Sequence, residues 1–548
     1  DLSAIGMLTY LRQLALNHNR IGGTLPTEMG KLFELEYLRL YKNRLTGTIP
    51  TQLGLLTGLV HLRLDGEPID DYDGGNIPGA NLRSVPDSEN ELRGTIPTEL
   101  GNLNQLEVLY LHGNKLDGTI PDSFGDLTEI VAMYLYNNLL TGTVPSSLGN
   151  LGLLEELYID GNDITGTMPR EVCALREEDD DDDEEEDSGG NLSKLTSDCK
   201  GAPPKLFCPC CSKCYPLDAE TWSPTSSPHP TSAPKQNTTL PPTSTPSKQP
   251  TTAPTAAPST PSPSRGGKIP IPVLTNPPAP TNTPTPLSAD YAKLLALLSS
   301  SSPDGGKALL IPKSNQRSAA SWLVENPLYS TYSEERKIVR YALAMLYLSL
   351  DGPGWTSNDG WMDDRTDECD WAEVVCDEQG KVSKLNLYDN ELAGTMPGEI
   401  VMLRDGLREL VLYSNRIRSP PSKMETGTTA GDEDDDGEGR DWSFLGALTE
   451  LRVLDLDENA LGGTIPTELG KLVNIEKLYL GSNGIAGTLP TGVFARKANL
   501  KLLRLENNRI RGTIPAEVVH WSPGTLETLR LSDNDLEGRI PPWIGVLR

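Results

Sequence analysis

A 24-residue frame recurs along this chain, and the period constrains the fold more than any other feature. The frame reads LxxLxLxxNxLxGTIPxxLGxL, as in the stretch that begins at Leu106. Its leucines predict one short strand per coil, with their side chains directed into a common core. The asparagine amide can form hydrogen bonds with backbone groups where the chain turns. Gly and Pro then mark turns in the segment that leads back to the next strand. Because one coil cannot bury its own apolar face, successive coils must stack.

The repeats fall into two blocks of six coils. The frame asparagines are Asn19, Asn43, Asn90, Asn114, Asn138 and Asn162 in the first block, and Asn390, Asn415, Asn459, Asn483, Asn508 and Asn534 in the second. A 24-residue period with Gly-x-Ile-Pro does not fit a helical protein. This is the frame of leucine-rich repeats, and its Gly-Thr-Ile-Pro half resembles the plant-type subclass. The resemblance implies an α/β solenoid fold: two right-handed leucine-rich-repeat solenoids, each with a parallel sheet on its concave face.

Changes in composition divide the chain into five segments. They are a first solenoid (1–172), a Cys-rich cap with an acidic insert (173–222), a Ser/Thr/Pro-rich linker (223–287), a helical and disulfide-bonded cap (288–380) and a second solenoid (381–548). Both chain ends fall inside repeats, so we expect a mature piece of a longer protein. In the second cap we expect helices at 289–298 and 335–350, the latter preceded by a capping box from Thr331 to Glu334.

The linker has the composition of a stalk. Residues 223–287 contain 42 Ser, Thr or Pro out of 65, and no aromatic or acidic residue, so they cannot bury a core. Ser/Thr-rich sequence with Pro is typical of O-glycosylated stalks, and an unmodified linker is the alternative. Asn237 within it and Asn191 before it are N-glycosylation acceptors.

The cysteines lie beside the repeat blocks, where a solenoid needs caps. They are Cys173, Cys199, Cys208, Cys210, Cys211 and Cys214 after the first block, and Cys369 and Cys376 before the second. An even number suggests disulfides and an oxidising compartment. We expect Cys369 to pair with Cys376, whereas six cysteines allow 15 pairings and leave the other connectivity open. A zinc site at 208–214 is the alternative, although no histidine lies nearby.

The second cap carries a further resemblance. Cys369-Asp-Trp371-Ala-Glu373-Val-Val-Cys376 is similar to the C-x-W-x-G-V-x-C cap that begins plant-type leucine-rich-repeat ectodomains, with Glu373 in the place of Gly. The helical lead-in RYALAMLYLSLDGPGW resembles secreted repeat proteins of stramenopile algae. Both resemblances imply an extracellular or cell-surface protein and say little about its ligand.

Charge and motifs narrow the function. The net charge of −29 disfavours nucleic acid and anionic membranes as partners. No apolar stretch reaches 18 residues, so we expect no membrane span in this chain. No catalytic motif is recognisable, and we expect neither an enzyme nor a cofactor. The acidic runs at 177–187 and 432–436 are interpreted as solvated loops, with diffuse Ca²⁺ binding as the alternative.

The phase of the repeat predicts the binding surface. Residues between the strand leucines point outward on the concave face. The candidate binding residues there are Arg39, Tyr41, Arg63, Tyr110, Tyr134, Tyr136, Tyr158 and Tyr479. The tyrosines suit protein or sugar recognition, and simple duplication of a strand-compatible residue is the alternative. A threonine that recurs after each frame glycine is read as a β-branched strand residue rather than an ice-binding or lattice-binding array.

Two functions fit the sequence. The favoured one is a non-catalytic extracellular glycoprotein, a structural or adhesive building block of a cell surface, matrix or filament. It would contact other extracellular proteins, copies of itself and glycans. The alternative is the ligand-sensing ectodomain of a receptor-like protein.

Overall fold

A computed structural model describes residues 10–66, 89–176, 191–200, 205–216, 288–421, 441–494, 497, 499–515 and 525–542. In the first half the strands are β1 (Gln13–Ala15), β2 (Arg20–Gly23), β3 (Tyr37–Arg39), β4 (Arg44–Gly47), β5 (His61–Arg63), β6 (Glu91–Thr95), β7 (Val108–Tyr110), β8 (Lys115–Gly118), β9 (Ala132–Tyr134), β10 (Leu139–Gly142), β11 (Glu156–Tyr158), β12 (Asp163–Ile164), β13 (Gly166–Thr167), β14 (Lys194–Lys200), β15 (Leu206–Phe207) and β16 (Lys213–Pro216). In the second half they are β17 (Val374–Cys376), β18 (Val382–Asn386), β19 (Ala393–Thr395), β20 (Glu409–Val411), β21 (Arg416–Arg418), β22 (Val453–Asp455), β23 (Lys477–Tyr479), β24 (Ala486–Thr488), β25 (Leu502–Arg504), β26 (Arg509–Thr513), β27 (Thr528–Arg530) and β28 (Asp535–Arg539).

Helical structure is short within the repeats and longer in the second cap. The α-helices are α1 (Arg170–Cys173), α2 (Ala289–Ser301), α3 (Asn315–Glu325) and α4 (Glu334–Ser349). The 3-10 turns are Thr27–Lys31, Thr51–Leu55, Thr98–Asn102, Asp122–Asp126, Ser146–Asn150, Ala308–Leu310, Tyr329–Thr331, Gly352–Gly354, Glu368–Asp370, Gly398–Leu403, Ser443–Ala447 and Thr467–Lys471. Most of the repeat turns follow the Pro of the frame, whose missing N–H and extended backbone suit entry into a turn.

The frame leucines build one long sheet. Its strand order is β16-β14-β11-β9-β7-β5-β3-β1-β27-β25-β23-β22-β20-β18-β17, and only the β17–β18 pair within it is antiparallel. A second, nine-stranded sheet has the order β12-β10-β8-β6-β4-β2-β28-β26-β24. The two shorter pairs are β13–β15 and β19–β21, both parallel. The leucine-rich-repeat fold and the parallel sheet expected from the frame are therefore confirmed.

The sequence predicts two separate solenoids, but the structure stacks the two blocks into one. Strand β27, near the end of the second block, pairs with β1 of the first, and β28 pairs with β2. We call this junction the seam. Each block has an apolar open end that requires a cover, and here each end covers the other. The coils thus run from the second cap through the second block, across the seam, and through the first block to the Cys-rich cap.

Asparagines at one position of the frame tie neighbouring coils together. Asn114 is almost fully buried; its amide donates to the carbonyls of Leu64 and Leu111, and its Oδ1 accepts from the Leu92 N–H at 3.0 Å. The same pattern crosses the seam, where the Asn19 amide donates to the Leu531 carbonyl at 3.0 Å and its Oδ1 accepts from the Leu536 N–H of the same coil at 2.9 Å. This ladder satisfies buried backbone groups at every turn, which accounts for the asparagine in the frame.

The threonine array has an inter-coil packing role that the sequence interpretation did not identify. Gly47 has φ +79°, and a Cβ placed on it would lie 2.7 Å from the Cγ2 methyl of Thr24 in the preceding coil. The same contact recurs at Gly94, Gly118, Gly142, Gly487 and Gly538 with the threonine one coil earlier. Each glycine is required both by its left-handed backbone and by the methyl group that covers it.

The Cys-rich segment closes the far end of the first block. Strand β14 extends the long sheet beyond β11, and the Asp198 carboxylate accepts from the backbone N–H groups of Gly161 and Asn162. The disulfides pair Cys173 with Cys210, Cys199 with Cys214, and Cys208 with Cys211. The cysteines considered as zinc ligands are therefore bonded to one another, and their sulfurs are not available to a metal.

The second cap is built on helix α4 and a buried cation. Ser333 caps α4 by accepting from the Arg336 N–H, so the cap lies two residues later than the capping box expected at Thr331. Arg340 is fully buried and donates to the Glu368 carboxylate at 2.9 Å. Cys369, the residue after Glu368, forms a disulfide with Cys376.

Glu373, which replaces the Gly of the resembling motif, has φ +63°. It thus adopts the left-handed conformation that glycine adopts more readily, and its carboxylate accepts from Asn386 at 3.2 Å.

Candidate functional site

The seam brings arginines from both blocks onto one stretch of the concave face. In the outward column, Arg504 and Arg530 of β25 and β27 precede Arg39 and Arg63 of β3 and β5, with only Ala15 of β1 between the pairs. A cavity of about 440 Å³ opens here, lined by Ala15, Asn17, Arg39, Tyr41, His61, Arg63, Val108, Tyr110, Glu506, Arg530, Ser532 and Asp533. The site could not be recognised from either block alone, because each supplies only part of its wall.

Arg63 forms the fixed side of this cavity. Its guanidinium makes two hydrogen bonds to the buried Asp65 carboxylate, at 3.0 and 3.2 Å. It also lies 3.9 Å from the ring centroid of Tyr41 and 4.9 Å from that of Tyr110. Burial opposes its charge, but Asp65 and Tyr41 outweigh burial and raise the pKa of the guanidinium above its usual value. Arg63 is thus already neutralised by a partner and held rigid by aromatic rings.

Arg39 differs from Arg63 in lacking such a partner. Among the residues that the structure describes, no carboxylate lies within 4 Å of its guanidinium, and its nearest aromatic contact is the Tyr37 ring at 5.5 Å. Burial lowers the pKa of Arg39, and the positive charges of Arg530 and Arg63 lower it further, whereas Tyr41 acts in the opposite direction. A half-buried cation beside two others is a favourable place for an anionic group.

The second block supplies the acidic side of the cavity. Arg504 is paired with Glu506 at 2.6 Å and with Asp457 at 3.3 Å. Burial raises the pKa of Asp457 to about 7 even though Arg504 favours its charged form. Arg530 donates to Gln13 across the seam at 2.8 Å and lies 3.9 Å from Glu506. The cavity therefore presents Arg39 and Arg63 from the first block, and Arg530 with the carboxylates of Glu506 and Asp533 from the second.

The tyrosine stripe expected to form an open binding surface is largely closed. Tyr134, Tyr136 and Tyr158 lie in the predicted columns but are only 7%, 3% and 3% exposed. Tyr134 stacks on Tyr110 with ring centroids 4.1 Å apart, and Tyr136 stacks on His112 at 4.4 Å. Rings on adjacent strands are close enough to bury one another, and the phase of the repeat alone does not reveal this.

The Tyr134 hydroxyl has its hydrogen-bond partner inside the protein. It donates to the Glu156 carboxylate, which also accepts from Lys194 at 3.0 Å. Burial and the hydrogen bond to Glu156 raise the pKa of Tyr134 well above its usual value. The cluster consequently stabilises the concave face, and only its edge at Tyr110 reaches the cavity.

The remaining predicted residues lie elsewhere. Tyr479 lies three strands from β1, with the Arg504 guanidinium 5.6 Å from its ring. Asn191 is exposed and its amide donates to the Gly152 carbonyl at 2.9 Å. Asn237, the stalk 223–287 and both acidic runs lie outside the described residues. Within the described ranges, no group of three or more potential metal ligands is found, and no helix is long and apolar enough to cross a membrane.

Comparisons with known proteins agree with the repeat geometry. Leucine rich repeat family profiles match residues 104–164 and, separately, 34–56, 450–472, 499–521 and 525–547. The chain is a leucine-rich-repeat solenoid. A related protein is the leucine-rich repeat receptor-like serine/threonine-protein kinase RGI4 of Arabidopsis thaliana, 28% identical over 122 residues. That match covers 22% of this chain and 9% of the kinase.

Solved structures of plant receptor ectodomains are also similar to this chain, at low TM-scores. The plant peptide hormone receptor RGFR1 in complex with RGF2 is 20% identical, with 98% of this chain and 54% of that chain covered and a TM-score of 0.27. The BIR2 ectodomain from Arabidopsis thaliana is 25% identical, with 37% of this chain and 94% of that chain covered and a TM-score of 0.29. The chain thus spans about half the length of the first of these receptors.

Proposed function

We propose that this chain is an extracellular, non-catalytic binding protein that holds an acidic segment of a protein partner in the cavity at the seam. The observation that carries the proposal is Arg39, a half-buried guanidinium that faces two other arginines and has no described carboxylate in salt-bridge range. A carboxylate bound there would offset the burial of this charge and complete a charge-assisted hydrogen bond. Tyr41 and Tyr110 would pack against the adjoining side chains of the partner.

An extracellular setting is supported by the cysteines. All eight form disulfides in the structure, as suits an oxidising compartment. The net charge of −29 makes a local positive site more selective, because the rest of the surface repels acidic partners. Binding would therefore depend on entry of one acidic group into the cavity rather than on general electrostatic attraction.

Selection from a random peptide display library tests this function. The wild-type chain should enrich peptides with Asp or Glu at one fixed position, and Arg39→Gln should abolish that enrichment. Arg511→Gln, at an exposed arginine of β26 in the other sheet, is the matched control and should leave it intact. Equal acidic enrichment by wild type and Arg39→Gln would overturn the proposal, as would enrichment of neutral peptides only.

A structural or adhesive building block is the second candidate. It is favoured by the stacking of the two blocks at the seam, which shows that the open ends of this chain fit each other. The O-glycosylated stalk at 223–287 belongs to this candidate, and we expect mass spectrometry to find several glycans there and N-linked glycans at Asn191 and Asn237. An unmodified, protease-sensitive stalk would instead favour a ligand-sensing ectodomain, in which it only tethers the parts it joins.

A further inference from the structure

The seam is an interface between two parts of the chain that are far apart in sequence. Gln13 lies opposite Thr528, and the only covalent route between the two blocks passes through residues 217–287. All contacts at the seam are therefore non-covalent. Two surfaces joined only by a long intervening segment can meet within one chain or between two chains.

We call the contact between two successive coils a joint. The seam is as well formed as a joint inside a block. Across it, five backbone hydrogen bonds of 2.7 to 3.2 Å join the first coil of one block to the last coil of the other, with donors Arg12, Gln13, Leu531, Asp533 and Asn534. The next joint along the first block has the same five positions, with bonds of 2.9 to 3.2 Å. The seam also has its own ion pair, between Arg20 and Asp535 at 2.9 Å.

Opening the seam would expose a large apolar surface on both sides. Leu14 and Leu16 of the first block and Leu529 and Leu531 of the second are completely buried. Such exposed faces are not stable in water and require a cover. The face that fits is the complementary end of another copy, because it presents the same strands, the same asparagine and the opposite partner of the ion pair.

We propose that the seam is exchangeable, so that the second block of one copy docks on the first block of another copy and copies associate end to end. Every seam contact is conserved in this exchange, since the two faces are unchanged. The contact is heterologous, so that two copies can close reciprocally into a swapped dimer or continue as an open chain. This inference does not depend on ligand binding at the cavity.

The length of the segment 217–287 bears on the balance between the two forms. Strands β16 and β17 lie at opposite edges of the long sheet, fourteen strand steps or about 65 Å apart along the stack. A flexible chain of 71 residues has a root-mean-square span of about 45 Å, and a fully extended polyproline chain reaches about 220 Å. Closure within one chain is thus feasible, whereas stiffening by proline or sugars lowers the local concentration and favours exchange.

Mixing of two variants that each carry one added cysteine, besides the eight in native disulfides, tests the exchange directly. Gln13→Cys and Thr528→Cys place one thiol on each side of the seam at register partners, and each chain carries a different mass tag. The two chains are mixed over a range of concentrations, incubated briefly in mild urea and oxidised. We expect a covalent heterodimer whose yield increases with total concentration and exceeds that of the control at least tenfold. The control mixture is Lys477→Cys with Leu502→Cys, register partners of a joint inside the second block.

Two further variants keep the test decisive. Arg20→Cys and Glu537→Cys repeat the mixing experiment at exposed register partners in the second sheet, in case the first pair perturbs folding. A circular permutant locks the seam: it runs from Ser288 to Arg548 and continues with Tyr10 to Pro216, which preserves the 24-residue spacing from Asn534 to Asn19. It should give no concentration-dependent association in sedimentation.

Each possible result of these experiments leads to a different conclusion about exchange at the seam. Heterodimer at the control level for both cysteine pairs would overturn exchange. So would a double variant, Gln13→Cys with Thr528→Cys in one chain, that forms no disulfide at all, because the seam would then be absent. Association that persists in the permutant would assign self-assembly to another surface.

Discussion

Replacement of Asn114 by alanine tests the asparagine ladder at a joint far from the seam. The side chain makes four hydrogen bonds: its amide donates to the carbonyls of Leu64, Leu111 and His112, and its Oδ1 accepts from the Leu92 N–H. A count of bonds alone would suggest a loss of four full interactions.

The ladder is shared between coils, and this reduces the cost. After the substitution, the Leu64 carbonyl keeps Asn90 as a donor at 3.1 Å, and the Leu111 carbonyl keeps Asn138 at 3.0 Å. The His112 carbonyl keeps the Gly66 N–H. Of the four bonded groups, the Leu92 N–H alone loses its acceptor, at a cost of about 1–3 kcal/mol. With weakened bonds at the shared carbonyls, we expect a loss of about 3 kcal/mol in the free energy of unfolding.

Urea denaturation followed by circular dichroism measures this loss. Asn104→Ala is the control, since Asn104 is exposed and should shift the free energy by less than about 0.5 kcal/mol. Asn114→Asp keeps an acceptor for Leu92 but buries a charge among carbonyls, so it should be less stable at pH 7 than at pH 4. A loss below about 1 kcal/mol for Asn114→Ala would refute the role assigned to the ladder.

Three further predictions concern single positions. Gly47→Ala should cost about 2 kcal/mol, and in a Thr24→Ser background, which lacks the opposing methyl, about half of this should be recovered in the same denaturation assay. Glu373→Gly should stabilise the second cap by about 0.5 kcal/mol by relieving a left-handed backbone, and a fall in the thermal midpoint would contradict this. Because burial raises the pKa of Asp457 to about 7, its stabilising contribution is present at low pH and is lost as the pH rises through 7, so Asp457→Asn should reduce the fall in stability between pH 5 and 8.

The sequence predicted whatever is repeated within one coil. The strands, the ladder asparagines and the glycine–proline turns follow from the 24-residue frame, since each depends on residues in the same or the next coil. The seam did not follow, because Gln13 and Thr528 are 515 positions apart and no local signal links them.

The sequence left the exposure of the candidate binding residues open, for a related reason. The phase of the repeat placed Arg39 and Tyr134 on the concave face, but it could not show that Tyr134 is covered by neighbouring rings while Arg39 stays accessible. Lateral packing between strands decides this, and it depends on which side chains become neighbours when the coils stack.

The cavity exists only while the two halves of the chain are joined. Arg39 and Tyr41 come from one side of the seam, and Glu506 and Arg530 come from the other. Each face of an opened seam therefore carries only part of the cavity lining. Ligand occupancy and closure are then thermodynamically linked: a ligand at one hundred times its Kd would favour the closed joint by about 2.7 kcal/mol. A partner would then be recognised only where the two ends of the solenoid blocks meet, and its binding would in turn hold those ends together.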